Sequence, residues 1–305
     1  MLTPNKHPDL VLAPSYVKGA YDALAVDCPF VFRDGNRFYM THIGFDGIGY
    51  RTGLASSDNL VRWVKEGLIL DRGPAGSVTE FNVALTWILR DNDLFGPGTL
   101  RKIGGRYLGT YHAYPKPGYE TGPAVIGLCW SEDYRHWELG DPILSASDED
   151  AAPWERGGLY KSCLVEHKGT FYLFYNAKTA ESPWKEQTGV AISNDLKQWE
   201  RHAANPILPV GPPGAFDDVF CSDPCVLRCE SLWAMFYYTL SSDGKARDTV
   251  AFSHDLVNWT KSNEILVDVG PPETIDSRYA QKPSLFSHEA VLYHFYCAVS
   301  PPKNR

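Results

Sequence analysis

The sequence predicts an all-β protein, a five-bladed β-propeller occupying residues 1–305 as a single domain, with the ring closed by the N-terminal segment pairing with the last blade. Three observations predict it. A segment recurs four times, as "ASSDNLVRW", "CWSEDYRHW", "AISNDLKQW" and "AFSHDLVNW"; these end at Trp63, Trp137, Trp199 and Trp259, so the tryptophans stand 74, 62 and 60 residues apart. Upstream of each lies a pair of apolar runs joined by a short turn, and a fifth such pair ends the chain. The composition, with 22 Pro, 26 Gly and 13% aromatic residues in 305, suits many strands joined by turns and no long helices.

The paired runs read in order as "PFVFRDGNRFYMTHIG", "GTLRKIGGRYLGTYHAY", "CLVEHKGTFYLFYNAK", "CVLRCESLWAMFYYTL" and "PSLFSHEAVLYHFYCAV". Their turns, among them "DGN", "GG" and "KG", are hairpin chemistry, and their flanks are rich in β-branched and aromatic residues. Each of the first four is followed by the Ser-Asp-Trp segment and a further strand such as "GLIL" or "NPIL". The fifth has no such continuation, so "LVLAPSYV" near the N-terminus is the expected donor of its outer strand, hiding an open edge. Because the Ser, Asp and Trp recur in every unit, they read as structural: side-chain oxygens on turn amides and a Trp packed between sheets.

Charge and composition limit the functions. There are 29 basic and 37 acidic residues, a net −8, with no dense Lys/Arg run to track a phosphate backbone, so nucleic acid is not an expected partner. No run approaches the ~18 apolar residues of a membrane span, and the N-terminus lacks a signal-peptide core, so no membrane partner and a cytoplasmic location are expected. The seven cysteines show no zinc-ribbon spacing. Cys221, Cys225 and Cys229 recur every four residues, but on a strand that spacing is roughly 13 Å, too far for one ion. No metal and no cofactor are expected.

Function is to be sought where the repeats differ. The first residues of the innermost strands converge on one mouth of a propeller's channel. There "SRYAQKPSLF" of the fifth unit lies over "VFCSDPCVL" of the fourth, with Lys282 in the slot of Asp223. The third unit offers Lys161, the second Gly96 with Asp93 three residues upstream, and the first Asp27, at the slot or one residue before it. Such unit-specific charges are what a site demands and a scaffold does not, although a ring of ion pairs that merely closes the channel is the plainer alternative.

The stretches "DCPFVFRDGNRFYM" and "SDPCVL" and the repeated S-x-D-L-x-x-W segments resemble the five-bladed propeller glycosidases of glycoside hydrolase family 43, and more distantly families 32, 68, 117 and 130. The resemblance implies a glycosidase in which Asp27 is the base or nucleophile and Asp223 the acid or its partner. It also implies carboxylates from the third and fourth units. This chain departs there: it has Lys161, with Glu155 the nearest acid upstream, and Asp217, Asp218 and Asp223 in place of an obvious Glu.

The expected reaction is inverting hydrolysis of a small oligosaccharide. A glycoside phosphorylase resembling family 130 and a non-catalytic sugar-binding propeller are the alternatives. Lys161, Lys282 and Arg278 either bind an anionic group of the substrate or pair with the ring carboxylates. Trp154, with Trp87 and Trp184, is a candidate to stack on a sugar, and His42 and His112 are candidate hydrogen-bonding groups at the same mouth.

Overall fold

The computed structural model describes residues 5–301, and apart from one 3-10 turn at Pro153–Glu155 its regular structure is all strand. The first sheet is a meander of β1 (Ala25–Asp34), β2 (Arg37–Phe45), β3 (Tyr50–Ser57) and β4 (Val64–Leu70). The second holds β5 (Ala84–Ile88), β6 (Lys102–Ile103), β7 (Arg106–Ala113), β8 (Val125–Ser131) and β9 (Glu138–Ser145), in the order β5-β7-β8-β9 with β6 beside β7.

The remaining strands repeat the pattern. They are β10 (Gly158–His167), β11 (Thr170–Lys178), β12 (Glu186–Ser193) and β13 (Glu200–Arg201), then β14 (Phe220–Cys229), β15 (Leu232–Leu240), β16 (Ala246–Ser253) and β17 (Trp259–Lys261), then β18 (Tyr279–His288) and β19 (Val291–Val299). Single parallel bridges, Glu186 to Phe220 and Ala246 to Tyr279, tie each third strand here to the next inner strand. Five antiparallel hairpins are thus present: β1–β2, β5–β7, β10–β11, β14–β15 and β18–β19.

The second unit differs from expectation. Its inner strand is β5, not the first arm of "GTLRKIGG", which supplies only the two residues of β6. The physical reason is burial: residues 83–89 are apolar but for Thr86 and wholly buried, whereas 90–98 carry charges and a Gly-Pro-Gly that break the strand.

The recurring Ser-Asp-Trp segment does what its repetition implies. Ser57, Ser193 and Ser253 each accept a backbone N–H from a leucine three residues on, at 2.9, 2.9 and 3.0 Å. Asn59, Asp133, Asp195 and Asp255 accept further turn amides, and the indole of each Trp donates to the carbonyl three residues before it. That carbonyl belongs to Leu60, Tyr134, Leu196 or Leu256, all left-handed with φ between 52° and 69°. In the first unit Asn59 replaces the expected Asp, since Asp58 is turned outward to Arg37.

The first and last hairpins meet. β1 lies against β18 and β19, the Val31 N–H donates to Ser284 Oγ, and Phe38 and Trp63 contact Phe286 and Phe295 edge-on. Residues 10–17 form no strand, in contrast to the outer strand expected of them; Val11 and Leu12 instead pack their side chains on the cluster that contains Phe286 and Phe295. Pro14, inside this stretch, removes a ladder donor.

The loop of residues 89–101 links these units at the end of the inner strands away from the residues where they begin. Arg90, fully buried, donates from Nη1 to Val31 O at 2.5 Å and from Nη2 to Leu285 O at 3.0 Å, joining first and fifth units while its guanidinium lies over Phe30 and Trp87. Asn92 reaches Leu164 O in the third unit, and Asn92 O and the Leu94 N–H pair with Arg228 in the fourth. Replacing Arg90 by Met removes both donors and leaves two buried carbonyls unpaired, so urea unfolding should show a loss of about 2–4 kcal/mol; an unchanged midpoint contradicts this role.

Candidate active site

Each inner strand begins with a fault in its pairing. The register slips between Asp27 and Phe30, Leu159 and Ser162, Ser222 and Cys225, and Gln281 and Ser284, and in the second unit around Thr86. At three of these bulges one residue is left-handed, Cys28 at φ +47°, Asp223 at +56° and Lys282 at +66°, and each is followed by a proline. A bulge leaves its extra residue out of the ladder and bends the strand, here toward the axis. The slot of the first unit is therefore Cys28, and Asp27 is the residue before it.

Asp27, Cys28, Lys161, Asp223, Lys282 and His112 line one small pocket together with Ile43, Tyr50, Tyr114, Glu120 and Tyr160. Lys282 Nζ stands 2.7 Å from Asp27 Oδ2 and 3.8 Å from Asp223 Oδ2. The other Asp27 oxygen accepts the Cys28 N–H and the Cys297 thiol, each at 2.8 Å. Burial would raise the Asp27 pKa, but the Lys282 charge and these donors hold it below the ordinary carboxylate range. Asp223 goes the other way, pushed up by burial and by Asp27 more than Lys282 and Lys161 lower it. Lys161 is buried with no hydrogen-bond partner for Nζ.

Glu186, the first residue of β12, is buried beside them. Its Oε2 accepts Ser222 Oγ at 2.7 Å, Tyr238 OH at 3.2 Å and Asn176 Nδ2 at 3.3 Å. Burial and the neighbouring Glu120 carboxylate push it up to about 7, and Glu120 is itself raised by burial against the pull of Lys282 and Lys178. His112 is driven down to about 3 by burial and Lys282, so it is a neutral imidazole at ordinary pH. Two ammonium groups and four carboxyls thus share this site, and burial holds three of the four toward the protonated form.

Several expected residues lie elsewhere. Asp93 and Gly96 belong to the loop at the far end of the channel, where Asp93 pairs with Arg228, because the inner strand of the second unit is β5. Glu155 is buried under Arg201 and Tyr175 in an outer network, and Trp154 is stacked on Tyr175. Asp218 accepts the Gly214 and Ser242 amides, Asp217 pairs with Lys261, and Arg278 stacks on Tyr279 outside the pocket. His42 is held by Tyr21 OH at 2.9 Å, lowered to about 4 by burial, and faces a separate cleft of about 850 Å³ that also reaches Asp27. Trp87 is core under Arg90, while Trp184 stands beside Lys178 near the pocket.

Glu120 and Glu186 were not anticipated. Glu186 carried a readable signal: third strands start with Tyr50, Val125, Glu186 and Ala246, so a single acid occupies a slot otherwise uncharged. Glu120 carried none, since it lies in a loop with no counterpart in the other units.

This fold of curled antiparallel sheets is that of propeller-type glycoside hydrolases. More particularly, residues 92–274 match the glycosyl hydrolases family 32 N-terminal domain, and the chain belongs to that family. It is 29% identical over 168 residues to the sucrose-6-phosphate hydrolase of Salmonella typhimurium, a match covering 52% of this chain and 33% of that protein. The chain therefore spans about a third of that curated relative. A solved complex of BT0996 and RGII is 32% identical with a TM-score of 0.86, the match covering 98% of this protein and 88% of that one. Another solved structure, described as "Glycoside hydrolase", is 30% identical with a TM-score of 0.82, covering 94% and 88%. Among the described residues no helix is long and apolar enough to cross a membrane, and no group of His, Cys, Asp and Glu is arranged to hold a metal ion.

The raised Glu186 has a thermodynamic consequence. Its carboxyl binds a proton up to about 7 when folded and only up to its ordinary 4.5 when unfolded, so its contribution to stability is complete below 4.5 and is lost as pH rises through 7. Relative to wild type, Glu186→Gln should therefore gain about 3 kcal/mol in urea unfolding at pH 8.5 over pH 4.5. Parallel pH dependences for the two proteins contradict the assignment.

Proposed function

We propose that this protein hydrolyses small oligosaccharides at the channel-mouth pocket, with Glu120, which lines it, and Glu186, buried beside it, as the two reacting carboxyls and Glu186 carrying the proton. The observation that carries the reading is the pair itself. Glycosidic cleavage needs one carboxyl protonated and one ionised near neutral pH; here burial and the Glu120 carboxylate push Glu186 up to about 7, the kind of neighbouring charge by which proteins keep one of two carboxyls protonated. In this reading the five hairpins are five blades of one single-domain ring, closed between the first and last and covered there by the N-terminal segment.

Hydrolysis is preferred to phosphorolysis because the family the chain matches is one of glycosyl hydrolases. With three of the four carboxyls held toward their protonated forms, Lys161 and Lys282 give the site a positive balance that suits a sugar carrying an anionic group. Inversion is the proposed stereochemistry, following the expectation set by the resemblance to family 43. Seven unpaired cysteines suit a reducing, cytoplasmic place of action.

A second reading keeps Asp27 as the base, and one observation favours it: Lys282 holds that carboxyl ionised inside the pocket. Against it, both Asp27 oxygens are engaged and its lowered pKa makes a weak base.

A screen of nitrophenyl glycosides and plant oligosaccharides, with and without phosphate, tests both. The expected outcome is phosphate-independent turnover that declines above about pH 7 as Glu186 loses its proton, with kcat reduced about 10³-fold in Glu120→Gln and in Glu186→Gln. The first product observed by proton NMR should carry the inverted anomer. Loss of kcat in Asp27→Asn alone, with both Glu variants active, establishes the second reading instead; binding without turnover in wild type marks a sugar-binding propeller.

A further inference from the structure

The pocket is too small for a sugar as it stands. Ligand pockets ordinarily enclose about 300 Å³ or more, yet here the free volume between Asp27, Lys161, Asp223, Lys282 and Glu120 is about 10 Å³, enough for one water. No sugar ring enters such a space unless part of its wall moves.

The wall that is least anchored is the loop of residues 115–123, which carries Glu120 over the pocket. The segment joins β7 to β8 through the buried Tyr114 and Ala124, and few contacts hold its middle. Tyr119 stacks on Phe45 with ring centroids 3.8 Å apart, the Gly118 N–H donates to Ile48 O at 2.8 Å, and Asn82 Nδ2 donates to Lys116 O at 2.8 Å. On the opposite side one group reaches across: Lys178 Nζ donates to the Glu120 carbonyl at 2.9 Å. That ammonium is itself held over the rings of Tyr160 and Trp184, 5.0 Å from each centroid. Gly118 at φ +99° and Gly122 at φ +95° bracket Glu120, whose own φ is +48°, so the segment's backbone turns on two residues that tolerate large changes of dihedral.

We infer that residues 115–123 form a lid that opens to admit the sugar, and that Lys178 is the positioning residue that latches it shut with Glu120 in place. The ammonium is suited to the task because it is gripped by two aromatic faces and spends one N–H on the lid's backbone. The latch therefore acts on where Glu120 sits through its backbone, while the same ammonium lowers the pKa of its carboxyl. Opening breaks the Lys178 hydrogen bond and draws the Glu120 end of the lid away without disturbing the sheet beneath, since Lys178 closes β11 by its own pairing with Glu186. The kinetic half of this inference rests on Glu120 being a reacting carboxyl, whereas the lid and latch do not.

Hydrogen exchange of the whole protein followed by mass spectrometry, together with steady-state kinetics on whichever nitrophenyl glycoside the wild type cleaves, tests it. In Lys178→Met, amides of 115–123 should exchange about tenfold faster while those of β7 and β11 are unchanged, the difference expected for losing a charged hydrogen bond. kcat should fall about tenfold with little change in KM, because binding survives and closure does not. Lys178→Arg, which keeps a donor and stacks on the same rings, should restore both. Glu120→Gln should leave the exchange slow, as its carbonyl is intact. Unchanged exchange in Lys178→Met overturns the latch whatever the kinetics show. Faster exchange in Lys178→Met beside normal turnover in Glu120→Gln leaves the lid standing and removes Glu120 from the chemistry.

Discussion

The site depends on one backbone constraint, the bulge with which the inner strands begin. A strand held in register to its first residue would place alternate side chains in the walls between sheets. By carrying an extra residue opposite a single partner, and by turning Cys28, Asp223 and Lys282 left-handed ahead of a proline, the chain leaves the ladder and aims these residues at the axis. Left-handed backbone costs a non-glycine residue of order 1 kcal/mol or more, and such strain persists where the surrounding structure over-determines it. Here the loop of residues 89–101 does so from the other end of the channel, with Arg90, Asn92 and Leu94 each tied to a different hairpin.

From that constraint the electrostatics follow. Charged groups from the first, third, fourth and fifth hairpins are brought within contact in a space too small for water to screen them. Lys282 settles most of the competition, neutralising Asp27 at hydrogen-bond distance and reaching Asp223 less closely. Glu120 and Glu186 lie beyond its direct contact, so burial dominates and holds them toward their protonated forms. One pocket thus holds Asp27 toward its ionised form while Glu186 beside it is held toward its protonated one.

The sequence made the repeat legible because repetition is a local signal: a Ser, an Asp or Asn and a Trp at fixed spacing, and paired apolar runs with turn residues between them. It made Asp223, Lys161 and Lys282 legible because they break that repetition where inner strands begin. Gly96 and Asp93 were misplaced, since the second unit inserts a loop between its inner strand and its hairpin partner, and local pattern sees only the nearer two-residue strand. Glu155, Asp218 and Arg278 lie near the ring in sequence but are turned outward by partners such as Arg201 and the Gly214 amide, which only tertiary contact reveals. Glu120 reaches the pocket from a loop, and no periodicity marks a loop.

The hydrolysis proposed for this pocket requires that a carboxyl at it keep its proton at neutral pH. Carbon-13 NMR of protein labelled at the glutamate side-chain carboxyl reads that proton without recourse to a substrate, with the Glu186 resonance assigned by its disappearance in Glu186→Gln. A titration midpoint near 7 is expected for Glu186, lowered when Glu120 is replaced by Gln because the charge that raises it is gone. A Glu186 carboxyl titrating near the ordinary ~4.3, indifferent to Glu120, would refute the assignment.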